Sequence, residues 1–141
     1  MKRFLFQLLT ASALVFCMGS CSSKGDGGGG GGGGNNEANL VVSSNPAANQ
    51  VHPAAPQADF PLTVSITSPL PPQGVTIDVK VVQDGQSTPF FSVVRNSTTA
   101  NNDFTITGTP VGVICITTIV VTSTTKATNA VTLTYRYSRK P

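Results

Sequence analysis

Apolar and polar residues alternate along most of the chain beyond position 59. Phe60, Leu62, Val64 and Ile66 are interleaved with Pro61, Thr63, Ser65 and Thr67, and Val75, Ile77, Val79 and Val81 with Thr76, Asp78 and Lys80. Val131, Leu133, Tyr135 and Tyr137 alternate in the same way with Thr132, Thr134 and Arg136. A period of two sends one face of each strand into a core and the other into water. Two further runs are more apolar. Pro89 to Val94 holds Phe90, Phe91, Val93 and Val94, and Val113 to Thr122 is almost wholly β-branched. The second is about ten residues long and includes Thr117 and Thr118, so it predicts a central strand packed on both faces rather than a membrane span. Asp103 to Thr107 predicts a shorter strand presenting Phe104 and Ile106, and Leu40 to Ser44 a short first one.

Turn residues separate these runs at Pro69 to Gly74, Asp84-Gly85, Asn101-Asn102, Gly108-Thr109-Pro110 and Thr128-Asn129. Seven of the ten prolines fall between positions 45 and 72, which predicts an irregular connection from Asn45 to Asp59. No helical stripe of useful length exists outside the first twenty residues. The prediction is an all-β fold: a single antiparallel Ig-like β-sandwich of about seven strands over residues 40–141.

The beginning of the chain has a different pattern. Met1-Lys2-Arg3 is positive, Phe4 to Met18 is apolar apart from Gln7, Thr10 and Ser12, and Gly19-Ser20 is small. This is the layout of a secretory signal peptide over residues 1–20. Its fifteen residues from Phe4 to Met18 would span only about 22 Å as a helix, less than the ~30 Å hydrocarbon core. Residues 21–39 then hold nine of the fourteen glycines, eight of them unbroken from Gly27 to Gly34. Such a run has no side chain to bury and predicts a disordered, flexible tether. A phosphate-cradling loop would need a flanking strand, a helix and a lysine at fixed spacing, and has none here. The nineteen residues from Cys21 to Leu40 reach about 24 Å on average and about 65 Å when extended.

Met18-Gly19-Ser20-Cys21 resembles the lipobox of bacterial lipoproteins, with Met18 where that family usually has an aliphatic residue. The resemblance implies that Cys21 receives a diacylglycerol and that the leader is cut before it. The chain would then be held in the membrane by its lipidated cysteine. Ser22-Ser23-Lys24-Gly25-Asp26 is similar to the short charged signal that sends some Gram-negative lipoproteins to the cell exterior. It marks Ser22, Ser23, Lys24 and Asp26 as an export signal and implies an outer-membrane anchor facing outward. Pro61 to Val82 resembles the Ig-like and fibronectin-III-like modules of bacterial surface proteins. An unknown extracellular protein or glycan is the partner such a module implies.

Charge adds little. From position 21 onward there are seven Lys/Arg against six Asp/Glu, so the net +3 of the whole chain belongs mostly to the leader and gives no reason to expect nucleic-acid binding. Arg136, Arg139 and Lys140 leave one end positive and are candidate partner contacts. So are Phe90 and Phe91, since strict alternation would aim one ring outward. Catalytic chemistry finds few residues. The one histidine, His52, lies in the proline-rich connection and is expected to face solvent. Cys115 is left without a disulfide partner and is expected as an apolar filler, so zinc ligation and a Ser-His-Asp arrangement both lack members. Glu37 sits in the tether, and Asp59, Asp78, Asp84 and Asp103 are read as strand-end, turn or polar-face residues rather than a hydrolytic pair or calcium loop. No catalytic residue, metal or cofactor is expected. A glycan-binding module would require an exposed aromatic platform, and a pilus-like subunit a detachable first or last strand over an apolar groove.

Overall fold

The computed structural model describes residues 37–141; the leader, Cys21 and the export residues Ser22, Ser23, Lys24 and Asp26 lie outside them. Seven strands follow one another: β1 (Val42–Asn45), β2 (Phe60–Ile66), β3 (Val75–Gln83), β4 (Phe91–Ser97), β5 (Asn101–Ile106), β6 (Ile114–Ser123) and β7 (Ala130–Ser138). They form two wholly antiparallel sheets, β1-β2-β5 and β4-β3-β6-β7. The chain crosses between sheets after β2, β4 and β5 and makes hairpin neighbours of β3–β4 and β6–β7, the Greek-key connectivity of an Ig-like sandwich. No helix occurs among the described residues.

The alternation read from the sequence is the core. Phe60, Leu62, Val64 and Ile66 of β2 are buried together with Phe104 and Ile106 of β5. Against them pack Val75, Ile77, Val79 and Val81 of β3, Cys115, Ile119 and Val121 of β6, and Tyr135 and Tyr137 of β7. Each fully buried aliphatic side chain contributes about 1.5–3 kcal/mol relative to exposure. β6 is central, with nine residue pairs to β3 and nine to β7. It is not packed on both faces, however. Ile116, Thr118, Val120 and Thr122 are only half-buried and Ile114 is exposed. A sandwich has one interior, so the β-branched outer positions reflect strand preference rather than burial.

The long connection from β1 to β2 is more ordered than its prolines suggest. Residues 49–55 run parallel to β7 and bond to its outer edge: Asn49 N–H to Thr134 O at 2.7 Å, His52 N–H to Arg136 O at 2.8 Å, Ala55 N–H to Ser138 O at 3.1 Å. Arg136 N–H donates back to Gln50 O at 2.9 Å and Lys140 N–H to Ala55 O at 2.9 Å. This strap satisfies backbone groups that an edge strand would otherwise leave open. It also corrects the expected exposure of His52, which is half-buried. Its Nε2 lies 2.9 Å from Ala47 O, and its ring meets Tyr135 edge-on at 5.6 Å.

Candidate functional site

The first described residues are fastened to the domain by side-chain hydrogen bonds. Glu37, placed in the tether by its sequence context, is bound to the turn between β6 and β7. Its Oε2 accepts from Ser123 Oγ at 2.9 Å and its Oε1 from Asn129 Nδ2. Asn129 Nδ2 also donates to Ala38 O at 2.9 Å, and Asn129 Oδ1 accepts the Leu40 N–H at 2.9 Å. Asn129, Ser123 and Leu40 are all buried. A single amide side chain thus clips the incoming backbone on both its donor and acceptor sides. Ser123 Oγ further accepts from the N–H groups of Thr125 and Lys126, both at 3.1 Å, which holds the turn that presents Asn129.

The clip defines two poles. The start of β3, the ends of β2, β4 and β6, and the starts of β5 and β7 share the Glu37 end. The opposite pole carries residues 84–90 and 107–113 with exposed Val111, Val113 and Ile114.

Phe90 and Phe91 do not divide into one inward and one outward ring. Both are half-buried against the core. Phe90 precedes β4 and bonds through its N–H to Val81 O at 3.0 Å, so strand alternation does not govern it. The basic end is mostly engaged. Arg136 pairs with Asp84 at 3.6 Å, and Arg139 is half-buried with Nη1 donating to Thr109 O at 3.3 Å. Lys140 side chain is exposed. The structure does not bring Phe90 or Phe91 together with these cations into one patch of exposed aromatic and basic groups.

Asp78 and Asp103 are similarly engaged. Asp78 pairs with Lys80 at 2.7 Å on the outer face of β3, and Asp103 accepts from Thr63 Oγ1 at 2.7 Å across β2–β5. Among the described residues no three His, Cys, Asp or Glu side chains gather where a metal could sit. Cys115 is fully buried, and burial pushes its thiol pKa up, which disfavours the reactive thiolate. Phe60, Phe104, Tyr135 and Tyr137 are buried, so the described residues present no flat aromatic platform. A cleft of about 320 Å³ lies between the strap and β7, lined by Asn49, Gln50, Val51, Thr134, Tyr135 and Arg136.

The two core tyrosines differ in one respect. Tyr137 Oη shares a 3.1 Å hydrogen bond with buried Thr109 Oγ1. Tyr135 Oη is buried without a partner, and so is Thr117 Oγ1 on the paired position of β6. Burial raises both phenol pKa values, and at Tyr137 the hydrogen bond to Thr109 opposes the rise. Tyr137→Phe should therefore cost about 1 kcal/mol, because Thr109 loses its partner. Tyr135→Phe removes an oxygen that nothing satisfies and should be no worse than neutral. Chemical denaturation at unchanged m value reads both.

Comparison of the chain with protein-family models, with curated proteins and with solved structures gives no match. What the described residues define is an all-β antiparallel sandwich, clipped at one pole to the segment that precedes it.

Proposed function

We propose that this is a lipid-anchored bacterial lipoprotein of the outer membrane, facing the exterior. Its non-catalytic Ig-like domain would serve adhesion, cell-surface structure or accessory binding. The observation that carries this reading is the order of segments: a positive and then apolar leader, Met18-Gly19-Ser20-Cys21, an eight-glycine run, and then a closed sandwich. Two or three acyl chains on Cys21, at about 0.8 kcal/mol per buried methylene, exceed what stable membrane attachment requires. Ser22, Ser23, Lys24 and Asp26 supply the export signal in this reading. The division of strands into three and four, with β4 beside β3, suits a fibronectin-III-like module.

The side-chain inventory supports display over catalysis. Ion pairs and local hydrogen bonds occupy Asp78, Asp84, Asp103 and Glu37, and the histidine is packed into the strap. The partner is an extracellular protein or glycan, and the buried tyrosines favour a protein over a sugar stacked on aromatic rings.

Cys21→Ala is expected to abolish metabolic fatty-acid labelling and move the protein from the detergent phase to the aqueous phase. Persistent labelling would refute the anchor.

A further inference from the structure

The sandwich manages its sheet edges unequally. The β7 edge is covered by the strap of residues 49–55, and β1 is only four residues long. The β5 edge is crossed by Arg95, whose Nη1 donates to Asp103 O at 2.9 Å while the guanidinium stacks on Phe104 at 4.2 Å. Covering, shortening and placing charge are the usual ways of blunting an edge. β4 shows less of this. It offers seven residues, Phe91–Ser97, with no proline inside the strand and with its one charge, Arg95, committed to β5. Val94 at its middle is 61% exposed.

We infer that the free edge of β4 is a strand-pairing site for a second copy of this chain. The residues are self-complementary about a two-fold axis at Val94. An antiparallel β4–β4 pair centred there sets Val94 against Val94 of the second copy, Ser92 against Asn96 and Val93 against Arg95. Apolar thus meets apolar on the outer face, hydroxyl meets amide, and no like charges stand directly opposite. The pair extends the four-stranded sheet into a continuous one of eight. A seven-residue edge falls below the ~1,200–2,000 Å² of a stable interface, so a single pair is weak and gains strength from many copies at high local concentration.

Antiparallel pairing has a geometric consequence. Each clip holds its own tether at the Glu37 pole, and the two-fold turns the second pole to the opposite end. The two Glu37 residues then lie at opposite ends of the pair, which suits two facing surfaces. The high local concentration and the facing surfaces rest on the anchoring proposed above; the register of the pair does not.

The test uses cells displaying the full chain, with fatty-acid labelling followed in parallel. Under mild oxidation V94C should yield a disulfide-linked pair of twice the chain's mass, since directly opposed Cβ atoms lie about 4.5–5.5 Å apart. S92C and N96C displayed together should also link, whereas S92C alone and T105C on the other sheet's outer face should not. A second variant, V94K, stands opposite Asp78 on β3 at an exposed position, and an unchanged urea midpoint checks that its fold is kept. Coupled to a cysteine at 92 and 96 as above, it should abolish the link by setting lysine against lysine. Absence of the V94C product, linking of T105C as efficient as V94C, or adducts only to another protein would overturn the inference. Loss of labelling with the V94C link intact would remove the anchor and leave the pairing standing.

Discussion

Gly74→Ala is expected to lower the domain's stability by about 3 kcal/mol, far more than one added methyl normally does. Gly74 has φ +75°, a conformation in which an L side chain costs about 1–2 kcal/mol. The methyl would also overlap the backbone oxygen of Ser97 and touch Thr98 Cγ2 at 3.0 Å. A peptide oxygen in a strand has little room to move. Gly74 N–H is bonded to Pro71 O at 2.9 Å and its oxygen accepts from Thr124 N–H at 3.1 Å, so any shift disturbs the turn beside the clip as well. Gly108 is the control. Its φ is +73° but nothing lies near its missing methyl, so Gly108→Ala should cost only the conformational part, about 1 kcal/mol. Urea midpoints of the two variants separate the clash from the backbone strain.

Asn129→Ala should have the next largest effect, about 3 kcal/mol, and a more local signature. The substitution removes the acceptor of the Leu40 N–H and the donor to Ala38 O and Glu37 in one step. A buried N–H without a partner costs about 1–3 kcal/mol, and the remaining lost bonds contribute the rest. β1 has only four residue pairs to β2 and is held at its start by this clip. Hydrogen exchange at residues 40–45 should therefore accelerate well before exchange in β3 or β6 does. Equal acceleration across all strands would mean that the clip stabilises the domain globally rather than seating its first strand.

Which parts of this molecule could be read from the chain depends on whether side chains or backbone make the contact. The strands with clean alternation, β2, β3 and β5, bury the residues that their period predicts, and β7 buries Tyr135 and Tyr137 while Val131 and Leu133 are half-buried against the core. The strap was illegible because its bonds run from backbone to backbone. Asn49, His52 and Ala55 carry no periodic signal, and the prolines beside them suggested only irregularity. The half-burial of His52 escapes the sequence for the same reason, since it follows from a strap that its own neighbours do not announce. Glu37 reads as tether because it directly follows the run Gly27–Gly34 and Asn35-Asn36. Its partners Ser123 and Asn129 lie more than eighty positions away. β6 misled in the other direction, for an unbroken β-branched run is read as doubly buried although strand preference alone can produce it. Phe90 and Phe91 show the effect of a strand boundary: the pattern starts the strand at Pro89 and the structure at Phe91, so Phe90 lies outside the alternation. Cys115 was legible as a buried filler because no second cysteine remained for it once Cys21 was assigned to the lipid.

The anchor itself is best settled by the mass of the native protein extracted from membranes. The account predicts a chain that begins at Cys21 and carries the added mass of a diacylglyceryl group on that sulfur, with or without a further acyl group on its nitrogen. A chain retaining residues 1–20, or one beginning near Cys21 with an unmodified thiol, would contradict it.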